Sequence, residues 1–133
     1  MTPIFVRWLK FNFVGGIGIL VQLGSLAILV SGLHISYLPA TAMAVETAVL
    51  HNFVWHERFT WKDRTGHGSV RDIFARLLRF HAGNGLISIA GNLALMRLLV
   101  GTMHVKYLLA NGITIAICSL LNFAASEWFV FRP

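Results

Sequence analysis

Four long apolar runs constrain the fold of this chain more than any other feature of its sequence. Each is about 18–23 residues long, and about 20 helical residues cross a hydrocarbon core of about 30 Å. Their approximate positions are 12–33, 38–55, 81–101 and 107–126. The connections GLHISY and GTMHVKY are short, so the first two runs and the last two runs each predict an antiparallel helical hairpin.

The composition is typical of a membrane protein. Only 12% of the 133 residues are charged and 56% are hydrophobic, whereas soluble domains carry roughly 25% charged residues. The first apolar run is too long for the core of a signal peptide, and no small-residue cleavage site follows it. We therefore predict that residues 1–133 form a single membrane domain.

The distribution of basic residues predicts the orientation of the helices. Eleven lysines and arginines stand against five acidic residues. The basic residues cluster before the first run, between the second and third, and at the end of the chain, whereas the hairpin tips hold Lys106 alone. The positive-inside rule then places both termini and the central segment in the cytoplasm. The excess charge is explained by topology and anionic lipid headgroups, and no nucleic-acid partner is predicted.

The two halves of the chain repeat one another. IFVRWLKF at 4–11 returns as IFARLLRF at 73–80, an offset of 69, whereas the His-x-x-Tyr-Leu tips and the later Asn-Phe pairs recur at an offset of 70. One residue has therefore been inserted in the first half of the second copy. Each copy crosses the membrane twice, so the copies are parallel repeats related by an axis along the membrane normal. The predicted parts are repeat one at 4–62, a cytoplasmic linker at 63–72 and repeat two at 73–132.

The segment VRDIFARLLRF has one apolar face and a basic polar face. This pattern predicts a helix that lies in the membrane interface before the third span. The alternative is that the segment forms the first turns of that span. The predicted fold class is thus an all-α integral membrane protein with four transmembrane helices. They form two parallel-repeat hairpins, each preceded by a basic amphipathic interfacial helix.

Small and polar residues recur at helical spacing inside the apolar runs. Small residues let helix backbones approach closely in lipid, where hydrophobicity does not drive association. One interpretation is a packing seam between four helices. The other is a polar cavity at the interface between the copies, lined by Gln22, Asn52, Asn92, Asn111 and Asn122.

Two charged residues lie within the predicted spans. Glu46 is in the middle of the second run, and an acid at membrane depth is a functional candidate because its exposure to lipid is costly. It is expected to pair with Arg97, which lies in the third run, or to face a second protomer. A purely structural ion pair is the alternative.

The ends of the second and fourth runs carry acidic and aromatic residues. Glu57 and Glu127 are expected to form local salt bridges there, and the aromatic residues to form an interfacial belt or to cover a sugar or isoprenyl chain. These aromatic residues are Trp8, Trp55, Phe59, Trp61, Trp128, Phe129 and Phe131. The sequence contains no nucleophile–base grouping, metal-ligand spacing or phosphate-binding loop. We therefore predict no enzyme activity, no catalytic residue, no metal and no cofactor.

The segment KFNFVGG at 10–16, the four apolar runs, the basic central segment and the paired Asn-Phe-x-x-x-Glu exits together resemble the GtrA-like family. The resemblance implies a bacterial inner-membrane protein of cell-surface polysaccharide synthesis. Its expected role is to move a polyprenyl-phosphate-linked monosaccharide across the cytoplasmic membrane, beside a partner glycosyltransferase. The second copy departs from the family pattern, since Trp128 stands where a basic residue is common.

Under this interpretation the cytoplasmic basic residues could bind the lipid phosphate, although topology and ordinary phospholipid contact would also explain them. They are Arg7, Lys10, Arg58, Lys62, Arg76 and Arg79. Four short helices enclose little volume, so a homo-oligomer is expected. The alternatives are a non-transporting membrane anchor for a glycosyltransferase and, less well matched, a small multidrug exporter.

Overall fold

A computed structural model describes residues 2–66 and 68–133, and over these residues the chain is helical, without a strand. The chain divides into two compact units, Met1–Gly66 and His67–Pro133. His67, part of the predicted linker, lies outside the described residues. Within the rest of that segment, residues 63–65 belong to a short helix, Lys62–Thr65, and residues 70–72 begin the next one.

The first unit is a pair of long helices joined by a short tip. Helix α1 (Ile4–Ala27) continues into a π-helical turn, Ile28–Gly32, and helix α2 (Tyr37–Trp55) continues into a second one, His56–Thr60. Helix α3 (Lys62–Thr65) follows. α1 packs against α2 along most of its length. The core between them is formed by Phe11, Val14, Ala40, Ala44, Ala48 and Phe53.

The second unit begins with a capped helix. Ser69 Oγ accepts a hydrogen bond from the Asp72 amide at 3.3 Å, and Asp72 Oδ2 accepts one from the Ser69 amide at 3.0 Å. This reciprocal pair satisfies two amide groups at the helix start, which explains why helix α4 (Val70–Leu86) begins where it does.

A long helical stretch follows this start. α4 continues through a π-helical turn, Ile87–Gly91, helix α5 (Asn92–Met96) and a further π-helical turn, Arg97–Thr102. The last helix, α6 (Tyr107–Ala125), packs against α5 and against the turn Ile87–Gly91. A final π-helical turn, Ser126–Val130, packs against α4.

The structure corrects the prediction of separate interfacial helices. Val70–Thr102 is one uninterrupted helical stretch of 33 residues, and Ile4–Gly32 is another of 29 residues. At about 1.5 Å per residue they measure about 50 and 44 Å, more than a hydrocarbon core of about 30 Å. The amphipathic segments are therefore the first turns of the long helices, as the alternative held. No proline separates them from the apolar run, and Gly83 and Gly85 do not break the helix.

Three helical stretches are long and apolar enough to cross a membrane: Ile4–Gly32, Val70–Thr102 and Leu108–Val130. α2 is not among them. It has 19 residues, and Glu46, His51 and Asn52 lower its hydropathy. Length and hydropathy therefore give three candidate spans within the described residues.

Considered separately, the two units have matching elements. α2 and α6 each contain 19 residues, and each is followed by a five-residue π-helical turn. Both tips contain a histidine with φ of 55°, His34 in one unit and His104 in the other. This left-handed conformation is uncommon outside glycine, and histidine is one of the residues that adopt it more readily.

The π-helical turn Ile87–Gly91 accounts for a difference between the units. The equivalent part of α1 is α-helical as far as Ala27. A π-helical turn closes on the fifth residue and not the fourth, so it holds one more residue than an α-helical turn. It lies between the segments that repeat at an offset of 69 and those that repeat at 70.

Candidate functional site

An aromatic cluster closes one end of the first unit. The Phe11 and His56 rings stack with centroids 4.9 Å apart, and Trp61 meets the His56 ring edge-on at 5.3 Å. Trp61 is fully buried. Although it was predicted as a belt residue, it supplies a core contact, because its ring is enclosed by protein.

His56 is held in this cluster as a neutral group. Its Nδ1 lies 3.0 Å from Thr60 Oγ1, and both side chains are buried. Burial, and secondarily the charge of His51, lowers the pKa of His56 from 6.5 to about 3. The imidazole beyond the end of α2 is therefore part of the packing and does not carry charge near neutral pH.

Arg7 joins the start of α1 to α3. Its Nη1 lies 3.6 Å from Asp63 Oδ2 and donates to the Thr2 carbonyl oxygen, and its side chain is almost completely buried. This geometry departs from the predicted phosphate-binding role, because a buried arginine that already has a carboxylate partner is poorly placed to collect a lipid phosphate.

Basic and aromatic side chains meet on the surface of the first unit. Lys10 Nζ lies 4.6 Å from the centre of the Phe59 ring, a cation–π contact. Trp55 meets Phe59 edge-on at 6.3 Å and is half exposed. Arg58 and Lys62 are exposed on the same segment. We name Lys10, Trp55, Arg58, Phe59 and Lys62 the basic–aromatic patch.

The other acidic and aromatic residues predicted near the helix ends differ in their surroundings. Thr65 Oγ1 donates to the backbone oxygen of Glu57 at 2.6 Å, which ties α3 to the preceding turn. Trp8 stacks on Phe5 with ring centroids 5.9 Å apart. Glu127 is buried in the second unit, whereas Trp128 is largely exposed.

The remaining arginines of the predicted phosphate set lie in the second unit. Arg79 Nη2 donates to the Val130 carbonyl at 3.3 Å, and both Arg76 and Arg79 are half-buried. The Arg79 guanidinium therefore lies against the turn that follows α6, where Phe80 packs near Phe131 with ring centroids 6.4 Å apart. The Arg76 guanidinium lies next to Gly68.

The five residues predicted to line a polar cavity differ in their surroundings. Asn52 Oδ1 lies 3.2 Å from His51 Nδ1, and its side chain fills the space left by Gly18. Asn92 is exposed and donates to the Ser88 oxygen of its own helix at 2.6 Å. Gln22 and Asn111 are half-buried.

Asn122 is the predicted cavity residue with an unusual environment. Its Oδ1 is buried and has no hydrogen-bond partner in the described part of the chain. Thr114 Oγ1 on the same helix and Ser126 Oγ in the turn that follows it share this property. Sequence reasoning missed Ser126, which continues the four-residue spacing of Thr114, Cys118 and Asn122. Asp63, the partner of Arg7, carried no comparable signal.

Glu46 and Arg97 are both exposed on the chain. Glu46 lies in the middle of α2, and Arg97 begins the π-helical turn that ends the long helix of the second unit. Each therefore reaches the surface of its own unit.

Comparison with known proteins relates most of this chain to a transmembrane-domain family. Residues 10–131 match the family model of the GtrA/DPMS transmembrane domain. A dolichol-phosphate mannosyltransferase from Pyrococcus furiosus is 38% identical over 112 residues, which is 84% of this chain but 30% of that protein. The uncharacterized membrane protein YwcD of Bacillus subtilis is 26% identical over 113 residues, which is 85% of this chain and 87% of that protein.

Proposed function

Because the chain belongs to the GtrA/DPMS transmembrane-domain family, we propose that it moves a polyprenyl-phosphate-linked monosaccharide between the leaflets of the bacterial cytoplasmic membrane. The observation that carries this proposal is the 38% identity to a protein named as a dolichol-phosphate mannosyltransferase. Dolichol phosphate is a polyprenyl phosphate, so that name indicates the class of lipid-linked sugar. We propose that this chain has a non-catalytic role in glycan or polysaccharide synthesis.

The proposal includes four crossings, with α2 as the additional span, arranged as two repeats of parallel orientation. The 19 residues of α2 measure about 28 Å, close to the thickness of a hydrocarbon core. The basic residues around α3 and at the start of α4 then remain in the cytoplasm together with both termini. The matching bounds of α2 and α6 support the repeat.

The lipid phosphate is proposed to bind first at the basic–aromatic patch. Arg58 and Lys62 are exposed there, and Trp55 and Phe59 are suited to the membrane interface. A forked guanidinium suits a phosphate group particularly well. Arg76 and Arg79 are the corresponding candidates in the second unit, whereas Arg7 is assigned a structural role.

The test is a leaflet-accessibility assay in vesicles that contain the purified protein and polyprenyl-phosphate mannose. A membrane-impermeant reagent that modifies only the outer sugar should consume about half of the lipid without protein and nearly all of it with protein. Arg58→Gln should slow the transfer about threefold to tenfold, the effect of one exposed charge contact of about 1 kcal/mol. Arg71→Gln, an exposed arginine outside the patch, is the control.

A membrane anchor for a glycosyltransferase is the second candidate. The Pyrococcus relative joins a segment like this one to a longer chain named as a mannosyltransferase, which also fits an anchoring role. If vesicles with purified protein moved no lipid-linked sugar, while the protein recovered a glycosyltransferase from its own membranes, the anchor would replace the transporter.

We also propose a homo-oligomer. Glu46 is exposed at the middle of α2, and an acid at membrane depth is costly if it faces lipid. A second copy of the chain against this surface would shield it. Crosslinking of a cysteine introduced at Met43, an exposed residue nearly one turn before Glu46, should give a dimer in membranes. A monomer under all crosslinking conditions would contradict this part of the proposal.

A further inference from the structure

A stripe of polar side chains runs along α6 and into the turn that follows it. Its members are four residues apart and therefore lie near one face, over about 18 Å of helix axis. We name it the α6 polar stripe, and its members are Thr114, Cys118, Asn122 and Ser126.

The α6 polar stripe contains buried oxygen atoms whose hydrogen-bonding capacity is unused. Thr114 and Ser126 are completely buried. Within residues 2–66 and 68–133, Thr114 Oγ1, Asn122 Oδ1 and Ser126 Oγ have no hydrogen-bond partner. Folded proteins pair nearly all buried polar groups, so three unpaired oxygens on one face indicate a ligand or water between them.

The middle of the stripe faces the π-helical turn Ile87–Gly91. Cys118 Sγ lies 4.0 Å from the Ile87 carbonyl oxygen. Gly91 provides the space for this sulfur, because a Cβ at Gly91 would lie 2.9 Å from it. π-helical turns inside α-helices are frequent at functional sites, since they displace backbone carbonyls from the regular hydrogen-bond pattern.

A cation lies at one end of the stripe. Arg79 donates from Nη2 to the Val130 carbonyl, one turn beyond Ser126. Its Nε is buried and has no hydrogen-bond partner in the described segments. The guanidinium is thus fixed at one nitrogen and retains a donor at another, at the end where the stripe leaves the helix.

At the positions that correspond to the α6 polar stripe, all of which the structure describes, the first unit has no stripe of unpaired polar side chains. These positions, 70 residues earlier in the chain, are Ala44, Ala48, Asn52 and His56. The two alanines have no side-chain polar atom. Asn52 Oδ1 lies within hydrogen-bond distance of His51, and His56 is bonded to Thr60. The corresponding face of α2 is therefore either apolar or already paired.

We propose that the two units divide the work of transport, and this inference rests on the proposed function. The first unit collects the lipid phosphate at its basic–aromatic patch and contributes no polar contact to the sugar. In the second unit the α6 polar stripe binds the hydroxyl groups of the sugar and Arg79 binds the phosphate. Serine and threonine hydroxyls both donate and accept hydrogen bonds, and the asparagine oxygen accepts them, as sugar hydroxyls require. The guanidinium supplies the donors that a phosphate accepts.

The single cysteine of the chain provides the test, because it lies within the stripe. The experiment measures the rate at which a small water-soluble thiol reagent modifies Cys118 in vesicles. The matched control is Ala48→Cys in a Cys118→Ala background. Position 48 corresponds to position 118 in the repeat, and the two side chains are almost equally buried, with Cys118 5% exposed and Ala48 6% exposed. We expect Cys118 to react about tenfold faster than Ala48→Cys, and polyprenyl-phosphate mannose to slow that reaction by about tenfold.

Two further comparisons identify what occupies the stripe. Polyprenyl phosphate without a sugar should not protect Cys118. Thr114→Val should weaken protection by polyprenyl-phosphate mannose about tenfold. The protein should remain folded, because the lost hydroxyl has no hydrogen-bond partner among the described residues. Thr47→Val is its control, since Thr47 is exposed on α2 and donates to its own helix at 2.8 Å.

Equal reactivity of Cys118 and Ala48→Cys would overturn the proposal, as would equal protection by the lipid with and without its sugar. Because labelling reports binding and not transfer, the result separates the two proposals. Sugar-dependent protection in a protein that moves no lipid would support the stripe and contradict the transport function.

Discussion

Gly18 permits a close contact between the two long helices of the first unit because it has no Cβ atom. It is buried in α1, and a Cβ at this position would overlap the side chain of Asn52 on α2. Only glycine leaves this space, so Asn52 can lie against the neighbouring helix and interact with His51. The sequence predicted small residues at helix contacts, but it did not identify which glycine was required.

We predict that Gly18→Ala destabilises the protein by about 1–3 kcal/mol, the usual cost of overpacking a close contact. Unfolding in mixed detergent micelles, followed by circular dichroism, would measure the change. Gly15→Ala is the matched control, because no atom lies within 4 Å of its added Cβ. Equal effects of the two substitutions would show that the contact with Asn52 does not limit the packing.

Arg7 illustrates what sequence reasoning misses at this scale. As one of several basic residues near a membrane surface, it carried the same signal as Lys10 and Arg58. The structure buries it and places it beside Asp63, 56 residues later in the chain. A long-range ion pair of this kind depends on where α3 lies, and neither charge periodicity nor composition reports that position.

At the scale of elements, the apolar runs predicted the bounds of the two helices that follow a hairpin tip. The runs 38–55 and 107–126 correspond to α2, Tyr37–Trp55, and α6, Tyr107–Ala125. The other two runs are shorter than the helices that contain them, because in each case an amphipathic segment continues into the apolar run without a break. Helix continuity depends on backbone hydrogen bonding, and a change in the apolar face does not interrupt it.

The tip histidines give a prediction at the scale of elements. At the end of the long helix of each unit, the amide of the residue after the histidine donates a hydrogen bond to the carbonyl oxygen six residues earlier. These bonds join Ile35 to Leu29 at 2.9 Å and Val105 to Leu99 at 2.8 Å. Such helix ends favour glycine in the left-handed conformation, but here the residue is His34 or His104.

We therefore expect His34→Gly to stabilise the protein by about 0.5–1 kcal/mol, and His34→Val to destabilise it by about 1–2 kcal/mol. Unfolding in mixed micelles would measure both, and the same pair of changes at His104 provides a repeat of the test. A loss of stability on His34→Gly would mean that the imidazole makes a stabilising contact that outweighs the backbone strain.

For the whole molecule, the repeated sequence segments predict that the two halves have corresponding elements, but they could not show how the halves differ. The one-residue offset was visible in the sequence, and the π-helical turn Ile87–Gly91 provides a structural place for it. Three oxygens of the α6 polar stripe have no hydrogen-bond partner among residues 2–66 and 68–133. This could not be predicted, since hydrogen-bond pairing depends on atomic positions. Thr114 and Ala44 occupy equivalent positions in sequence, and their difference in polarity matters because both are buried.

The number of membrane crossings is the last prediction, and cysteine accessibility can determine it. Single cysteines at Ser36, Gly66 and Met103, in a Cys118→Ala background, lie on exposed positions between the long helices. If α2 crosses, a membrane-impermeant maleimide added to intact cells should label Ser36→Cys and Met103→Cys, and should label Gly66→Cys only after permeabilisation. If α2 does not cross, Gly66→Cys would be labelled from outside and Met103→Cys would be protected. We expect the first pattern, because three crossings would place Arg58, Lys62 and Arg71 outside the cell, against the bias that orients membrane helices.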